Sequence, residues 1–321
     1  MIKLSFQIFA FVFFINFGFS QDNSKIYEIL NEEDSSYSYY IGDKQLFTES
    51  WDALAQPIFW KKIMVLSPDS CIINVAETRE ILLKTSFVEW KKQTEEEKDV
   101  FRDSIRYINC LDSNTKLYVT SGKSHFYDFN RVLPSISKGI EVFTKQGVDP
   151  WFAQAILLIE SPGRIQYSSV GAYGPFQLMK NVARKYGLKV NRKVDERKDF
   201  TKSAIGASNL LKKSCIPHAK RILTESGISY KESDLWFKLF VLHIYHAGAG
   251  NVGGLIKQMN PKNGGKELIT TMWQTQFGGF KNASQNYSQV ALASNFILET
   301  IIMENCESIY DCSAEIKELV K

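Results

Sequence analysis

From about residue 130 onward the chain is a succession of helix-periodic segments separated by glycine-rich turns, and this pattern restricts the fold more than any other feature. Apolar residues recur at the spacing of one helix face in residues 132–143. Glycine clusters at residues 248–254 and 278–279 mark turns. We therefore predict a mainly α fold. Further helices are predicted over residues 201–213, 234–246 and 286–304.

One predicted helix ends on an unusually placed acid. Asp149 and Pro150 form a typical helix start, with the aspartate as N-cap and the proline at the first helical position. The apolar run 155–159 leads directly into Glu160, and Pro162 follows. Apolar neighbours and the negative end of a helix both disfavour a carboxylate anion, so we expect a raised pKa for Glu160. A raised pKa suits a general acid near neutral pH; the alternative is an ordinary exposed glutamate at a helix end.

The first twenty residues have the pattern of a secretory signal peptide. Lys3 is followed by an uncharged, largely apolar stretch, and the small residues Gly18 and Ser20 precede the expected cleavage site before Gln21. An uncleaved membrane anchor is the alternative interpretation. No other uninterrupted apolar run approaches the roughly 18 residues that a membrane-spanning helix needs.

Charge and cysteine content narrow the functional classes. The formal charge is +4, and it falls to +3 without the signal peptide. This is too weak to indicate a nucleic-acid partner, although it suits an anionic polymer outside the cell. The five cysteines allow two disulfides and one free thiol in an oxidising compartment. Cys71 with Cys110 and Cys306 with Cys312 are candidate pairs, and no CxxC spacing indicates a zinc or redox site.

Residues 21–125 form a separate N-terminal region, for which we predict a smaller, mostly helical structure. One helix is expected over residues 76–92. A second begins at Thr94, where Glu97 three residues later completes a capping box. The alternating residues 116–120 are compatible with a short strand. No catalytic pattern occurs in this region, so its role stays open.

Several short motifs occur in a definite order from Glu160 onward. They are Glu160-Ser161, then Gly171-Ala172-Tyr173-Gly174-Pro175-Phe176-Gln177, then Tyr245-His246-Ala247-Gly248. Their order and spacing resemble the catalytic domain of the lytic transglycosylases, the lysozyme-like enzymes that cut bacterial peptidoglycan, and are similar to the membrane-bound murein transglycosylase D type. The resemblance covers about residues 130–300. It implies a lysozyme-like α-helical catalytic domain at residues 126–321.

The resemblance also implies roles for individual residues. Glu160 matches the single catalytic acid of the family, and Gln177 matches a glutamine that lines the sugar groove. Tyr245 matches the tyrosine beside the catalytic acid. Tyr287 resembles the tyrosine that opens the last helix of many members. Gly174 is expected to let the backbone approach the glycan closely.

Other candidate site residues follow from differences between this sequence and the family pattern, or from side-chain chemistry. The interval after Glu160 is one residue shorter than in the family, so either Ser168 or Ser169 takes the place of a substrate-contacting serine. His246 stands where the family has asparagine, and it is a candidate for tuning the acid or contacting a sugar. Tyr173 offers a flat aromatic face on which a sugar can pack.

The implied reaction is cleavage of the β-1,4 bond between N-acetylmuramic acid and N-acetylglucosamine with formation of a 1,6-anhydro product. In the family one glutamate serves as acid and then as base, so no cofactor is expected. No acid occurs between Glu160 and Asp195, whereas most glycosidases use two carboxylates. Two alternatives stay open: a goose-type lysozyme-like hydrolase, and a peptidoglycan-binding envelope protein with a disabled site.

Partners and location follow from the same interpretation. Peptidoglycan glycan strands are the expected partner, and an envelope protein that binds the N-terminal region is a further candidate. The signal peptide implies export across the inner membrane to the periplasm, or alternatively to the outside of the cell. His243 and His246 lie on one helix face, but the apolar run around His243 favours packed histidines over metal ligands, so no metal is expected.

Overall fold

The computed structural model describes residues 24–31, 36–160 and 167–308. Helices dominate these residues, so the predicted mainly α class is confirmed. None of the described helices has the length and apolar character needed to cross a membrane. The predicted signal peptide lies outside the described residues. The helices are α1 (Gln45–Thr48), α2 (Ala55–Val65), α3 (Phe87–Lys92), α4 (Glu95–Ile108), α5 (Phe129–Gln146), α6 (Trp151–Glu160), α7 (Lys180–Lys185), α8 (Phe200–Leu210), α9 (Ile216–Glu225), α10 (Leu235–Ala247), α11 (Ala249–Met259), α12 (Lys266–Gln274) and α13 (Asn282–Ser308).

The N-terminal region contains all the strands found in the described residues, so it is less helical than predicted. These strands are β1 (Ser24–Asn31), β2 (Ser36–Asp43), β3 (Ser70–Val75), β4 (Ile81–Ser86) and β5 (Leu117–Ser121). β1 and β2 form an antiparallel hairpin. β3 lies between β4 and β5 in a second antiparallel sheet. The strand predicted at residues 116–120 is confirmed as β5.

The helix predicted at residues 76–92 is wrong over most of its length. A turn and β4 occupy its first part, and only α3 at its end is helical. The apolar run at residues 81–83 is too short for its periodicity to distinguish a strand from a helix, and antiparallel pairing with the buried β3 favours the strand. Arg79 in the connecting turn has a left-handed backbone with φ 65°, which a right-handed helix cannot contain.

Two predicted helix starts are confirmed. Thr94 Oγ1 accepts a hydrogen bond from the Glu97 amide, and the Glu97 carboxylate accepts one from the Thr94 amide, which completes the capping box of α4. At the start of α6, Asp149 Oδ1 accepts a hydrogen bond from the Trp151 amide at 2.9 Å. The preceding helix α5 ends at Gly147 in a left-handed conformation with φ 67°. These caps determine where α6 begins.

The remaining predicted helices are present with shifted ends. α10 lies within one residue of the range predicted for it, and α13 begins four residues earlier than predicted. α8 does not stop at residue 213, because a π-helical turn at Leu211–Cys215 connects it directly to α9. The helices therefore form a more continuous framework than the glycine pattern indicates.

The hydrophobic core of the helical part extends into the N-terminal region. Gln154 on α6 is fully buried; its Oε1 accepts from the Ile41 amide at 2.8 Å, and its Nε2 donates to the Ile41 carbonyl at 2.7 Å. Trp60 on α2 donates Nε1–H to Gln289 Oε1 on α13 at 3.0 Å. The two regions are thus packed neighbours, and a domain boundary near residue 125 stays a prediction.

The cysteines are partly described. Cys71, buried in β3, and Cys110, exposed after α4, are free thiols, so the disulfide considered between them does not form. Cys215 is also a free, buried thiol. The other candidate pair, Cys306 with Cys312, lies outside the described side chains.

Candidate active site

Glu160 is the last residue of α6, and every other residue of this helix is buried. Glu160 itself is partly exposed. The helix is therefore a rigid apolar support that carries one carboxyl group to the edge of the core. Because Glu160 lies in the last turn, it also experiences the partial negative charge of the helix C-terminus.

Burial raises the pKa of Glu160 to about 7, because loss of hydration penalises the carboxylate anion more than the neutral acid. One hydrogen bond opposes this shift. Tyr287 Oη donates to Glu160 Oε1 at 2.7 Å and favours the ionised form. No second carboxylate among the described residues contributes to the shift. The raised pKa predicted from the sequence is confirmed, with burial as its main cause.

α13 supplies the hydrogen-bond partner of Glu160 from the far end of the described chain. Tyr287 lies in the second turn of this helix and is 5% exposed. The ring of His246 lies 4.5 Å from the ring of Tyr287, and His246 Nδ1 lies 3.3 Å from Ser284 Oγ on the same helix. His246 is more than one third exposed. Within the described residues it is therefore linked to Glu160 through Tyr287.

Tyr245, at the end of α10, holds a neighbouring loop. Its hydroxyl donates to the Phe176 carbonyl at 2.7 Å. Burial raises the pKa of Tyr245 well above its usual value, and the charge of Glu160 adds to the rise. Tyr245 thus lies within electrostatic reach of Glu160, while its hydroxyl fixes the backbone next to Gln177.

Gln177 lies in a tight turn that its own side chain stabilises. Tyr173 and Leu178 pair across this turn through two backbone hydrogen bonds of 3.2 and 3.1 Å. Gln177 has a left-handed backbone with φ 43°, and its Nε2 donates to the Gly174 carbonyl at 3.1 Å. A non-glycine residue keeps such a conformation only where its surroundings enforce it. The turn therefore holds Gln177 in one position.

Gly174 has a packing role instead of the predicted one. Its backbone is left-handed with φ 87°, and a Cβ atom added there would lie 1.9 Å from the Arg197 carbonyl oxygen. The close approach that requires glycine is therefore made by Arg197 of the protein itself. No glycan needs to be invoked to explain this residue.

Arg197 stabilises the same segment through hydrogen bonds and an ion pair. Its Nη1 donates to the carbonyls of Gly171 and Leu178 at 3.0 and 2.9 Å, and its Nη2 pairs with Asp195 Oδ2 at 2.7 Å. Hydrogen bonds from Arg197 lower the pKa of the Asp195 carboxyl. Asp195 and Arg197 thus anchor the loop.

Tyr173 is less available to a sugar than predicted. Tyr167 stacks on one face of its ring with centroids 4.0 Å apart and planes 10° from parallel. Tyr167 is 60% exposed, whereas Tyr173 is partly buried beneath it. Tyr167 is therefore the more accessible aromatic surface, and sequence motifs did not mark it.

The two candidate serines have different environments. Ser168 Oγ accepts a hydrogen bond from the Ala172 amide at 2.9 Å, so this side chain stabilises its own turn. Ser169 is exposed to solvent. The six residues 161–166 that follow Glu160 lie outside the described part of the chain, so the shortened interval there stays a prediction.

Tyr127 is a further neighbour of the acid that no sequence pattern marks. Burial raises the pKa of its hydroxyl, and the charge of Glu160 adds to the rise. Tyr127 lies just before α5, with its ring stacked 6.3 Å from that of Phe129. Only the folded arrangement of α5 and α6 reveals that it belongs to the site.

His243 is a packed histidine, in accordance with the preferred interpretation of the sequence. It is fully buried in α10, and its Nε2 lies 2.8 Å from Ser288 Oγ. Burial lowers the pKa of His243 to about 3, so its imidazole is neutral. It supports the contact between α10 and α13 behind Tyr287.

The segment of the chain that contains most of these residues matches a known family. Residues 140–267 match the family model of the transglycosylase SLT domain. The chain carries a transglycosylase SLT domain. Of the site residues predicted from the sequence, Tyr287 alone lies outside the matched range. No curated protein matches the chain.

The SLT domain is the lysozyme-like, α-helical domain of the lytic transglycosylases, so the predicted family and fold are confirmed. The family acts on peptidoglycan. The match covers less than half of the chain, and it does not distinguish the membrane-bound type D from other members. The N-terminal region lies entirely outside it.

Proposed function

We propose that the protein is a peptidoglycan lytic transglycosylase that uses Glu160 as its only acid and base. It cleaves the β-1,4 bond between N-acetylmuramic acid and N-acetylglucosamine and closes a 1,6-anhydro ring on the muramic sugar. The observation that carries the proposal is the environment of Glu160. It is the single acid of an apolar helix within the segment that matches an SLT domain, and its pKa is raised to about 7.

In the first step, protonated Glu160 gives its proton to the glycosidic oxygen while the bond to the muramic sugar breaks. A carboxyl group with a pKa near 7 is largely protonated in mildly acidic solution, which an exposed glutamate is not. As in the family, the N-acetyl group of the substrate stabilises the cationic carbon. This step leaves Glu160 as a carboxylate.

In the second step, the Glu160 carboxylate takes the proton of the C6 hydroxyl, whose oxygen closes the anhydro ring. The proton balance of the enzyme is then restored, and no water is consumed. The hydrogen bond from Tyr287 at 2.7 Å supports this step, because it stabilises the ionised form of Glu160 that exists between the two proton transfers.

The surroundings of Glu160 favour this reaction over hydrolysis by two carboxylates. Hydrolases of that kind place their carboxyl groups about 5–9.5 Å apart, where each perturbs the other. The pKa of Glu160 is set by burial and by Tyr287, with no contribution from another carboxylate in the described residues. A goose-type hydrolase on the same fold is the alternative, and its products differ by one water.

The test is digestion of purified sacculi by the mature protein and by Glu160→Gln, with mass spectrometry of the released fragments. We expect anhydro-muropeptides from the wild type and a loss of about 10²–10⁴-fold or more in rate for the variant. Glu267→Gln, an exposed position in α12, is the matched control and is expected to retain activity. Undiminished release by Glu160→Gln refutes the assignment, and binding to sacculi without any release indicates a disabled site.

We further propose that the protein acts in the periplasm after export. The predicted signal peptide and the peptidoglycan substrate of the family support this location. An envelope protein that binds the N-terminal region remains a proposed partner. Fractionation of cells that express the full chain tests the location, and a cytoplasmic, uncleaved product contradicts it.

A further inference from the structure

A polar cavity lies between the N-terminal region and the helices of the catalytic part, on another side of α13 from Glu160. Its volume is about 360 Å³, which is within the range of small-molecule sites. The β3–β4 turn and the start of β5 form one wall. The end of α12 and the first turns of α13 form the other. Side-chain amides dominate the lining: Asn114, Gln274, Gln276, Asn282, Gln285, Asn286 and Gln289.

Arg79 is the central charged group of this cavity. It is only 6% exposed, and its Nη2 donates to Asn282 Oδ1 and Asn286 Oδ1 at 3.0 and 2.9 Å. Nε and Nη1 have no hydrogen-bond partner among the described residues, and no carboxylate of those residues forms an ion pair with the guanidinium. A buried cation without an anionic partner is costly. Two amide oxygens and the aromatic rings of Phe59, Trp60 and Tyr118 stabilise the guanidinium, but none of the described carboxylates neutralises its charge.

A second cation of the cavity lining contacts the same aromatic ring as Arg79. Lys116 Nζ is 5.2 Å from the centroid of the Tyr118 ring, and the Arg79 guanidinium is 5.1 Å from the same centroid. Arg79 and Lys116 carry two positive charges and Glu77 one negative charge, so the cavity lining has a net charge of +1. This balance matches a ligand group with one negative charge.

We propose that this cavity binds the carboxylate end of a short peptide. The guanidinium keeps free N–H groups on Nε and Nη1, each of which can donate a single charge-assisted hydrogen bond to a carboxylate oxygen. The side-chain amides of Asn114, Gln274 and Gln276 make no hydrogen bond within the described residues, so they are available to peptide groups next to that carboxylate. The cavity is too small for a glycan strand, but it accommodates a few residues.

The peptide stems of peptidoglycan are the source that fits this chemistry, and that part of the inference rests on the proposed function. Asn286, which holds Arg79, is the neighbour in sequence of Tyr287, which holds Glu160. A stem bound in the cavity is therefore held by the same turns of α13 that support the catalytic acid. The carboxylate site itself does not depend on the reaction.

The test is calorimetric titration of the full mature chain with an N-acetylated tripeptide that ends in D-alanyl-D-alanine. We expect the free acid to bind at least about ten-fold more tightly than the C-terminal amide of the same peptide, because the amide lacks the charge that pairs with Arg79. Acetate is the second probe, and it is expected to bind more weakly than the tripeptide acid.

Two variants and one control make the result specific. Lys116→Glu changes an exposed side chain and reverses the net charge of the lining, so it is expected to abolish binding without affecting folding. Arg79→Gln is expected to abolish it as well, with circular dichroism to verify the fold. Lys84→Glu is the matched control on an exposed position of β4 outside the cavity, and it is expected to bind as the wild type does.

Equal binding of acid and amide, or wild-type binding by Lys116→Glu, overturns the proposal. Equal affinity for acetate and the tripeptide overturns the assignment of a peptide ligand. Glycan release without tripeptide binding refutes this inference and leaves the proposed function intact. Tripeptide binding without glycan release supports this inference and refutes the proposed function.

Discussion

Replacing Tyr287 with phenylalanine removes a single oxygen atom and tests how the site determines the proton affinity of Glu160. The lost contact is the 2.7 Å hydrogen bond from Tyr287 Oη to Glu160 Oε1. This bond lowers the pKa of Glu160 and opposes burial, which raises the pKa to about 7. Without it, burial acts alone, and the pKa is expected to rise further.

The expected size of the pKa change follows from the strength of hydrogen bonds to charged groups. A hydrogen bond to a charged group contributes about 1.5–3 kcal/mol, and about 1.4 kcal/mol corresponds to one pKa unit, so the pKa of Glu160 is expected to rise by about 1–2 units. The first step requires protonated Glu160, so activity falls as the pH rises through this pKa. The alkaline limb of the pH–rate profile therefore moves to higher pH by about the same 1–2 units.

The assay is the rate of muropeptide release from sacculi as a function of pH, for the wild type and for Tyr287→Phe. Tyr245→Phe is the matched control, because its hydroxyl bonds the Phe176 carbonyl and not Glu160. Its alkaline limb is expected to stay at the wild-type position even if its rate is lower. An alkaline limb that is unchanged or moves to lower pH in Tyr287→Phe refutes the role assigned to this hydrogen bond.

Three further predictions concern stability. Because the pKa of Glu160 is raised from 4.5 to about 7 in the fold, the stability of the wild type falls as the pH rises through this window. Glu160→Gln is therefore expected to be about 1–3 kcal/mol more stable than the wild type near pH 8 but not near pH 4. Urea denaturation at both pH values checks this, and a variant that is less stable at both pH values contradicts it. Gly171 and Gly174 share φ 87°, but only at Gly174 would a Cβ meet a backbone carbonyl, at 1.9 Å. Thermal melts are therefore expected to show a loss of about 1–2 kcal/mol for Gly171→Ala and about 3 kcal/mol or more for Gly174→Ala, and equal losses would show that the Arg197 contact is not limiting. Gln154→Leu leaves both backbone groups of Ile41 unpaired and is expected to cost about 2–4 kcal/mol, with faster amide exchange in β2; wild-type exchange there would contradict the docking role of Gln154.

Features that depend on a few adjacent residues were predictable from the sequence. The capping box at Thr94 and Glu97 and the helix start at Asp149 are local hydrogen-bond patterns, and both are present. Pro162, two residues after Glu160, predicted that the helix ends near the acid. Glu160 was therefore located, together with the direction of its pKa shift.

Features that depend on tertiary pairing were not predictable in the same way. Residues 81–83 became a strand because β3 is available to pair with them, which no local pattern reveals. Tyr287 contacts Glu160 across 127 residues of chain, and the sequence alone gave only a family resemblance for it. Tyr127 and Tyr167 have no motif, and their places at the site follow from the packing of the loops around them.

The cavity around Arg79 was likewise not predictable from the sequence. Arg79 has no special sequence context, yet folding buries it against Asn282 and Asn286 from a distant helix. The cavity around it exists only because the β3–β4 turn packs against the start of α13. A region without any catalytic motif therefore contributes a candidate binding site.

The central claim is that Glu160 cleaves peptidoglycan by itself, with the C6 hydroxyl of the substrate in place of water. Digestion of sacculi in heavy-oxygen water, followed by mass spectrometry of the muropeptides, tests this claim most directly. The account predicts anhydro products without heavy oxygen, and it predicts that Glu160→Gln releases none of them. Reducing-end products that carry one heavy oxygen each would contradict it and identify a hydrolase.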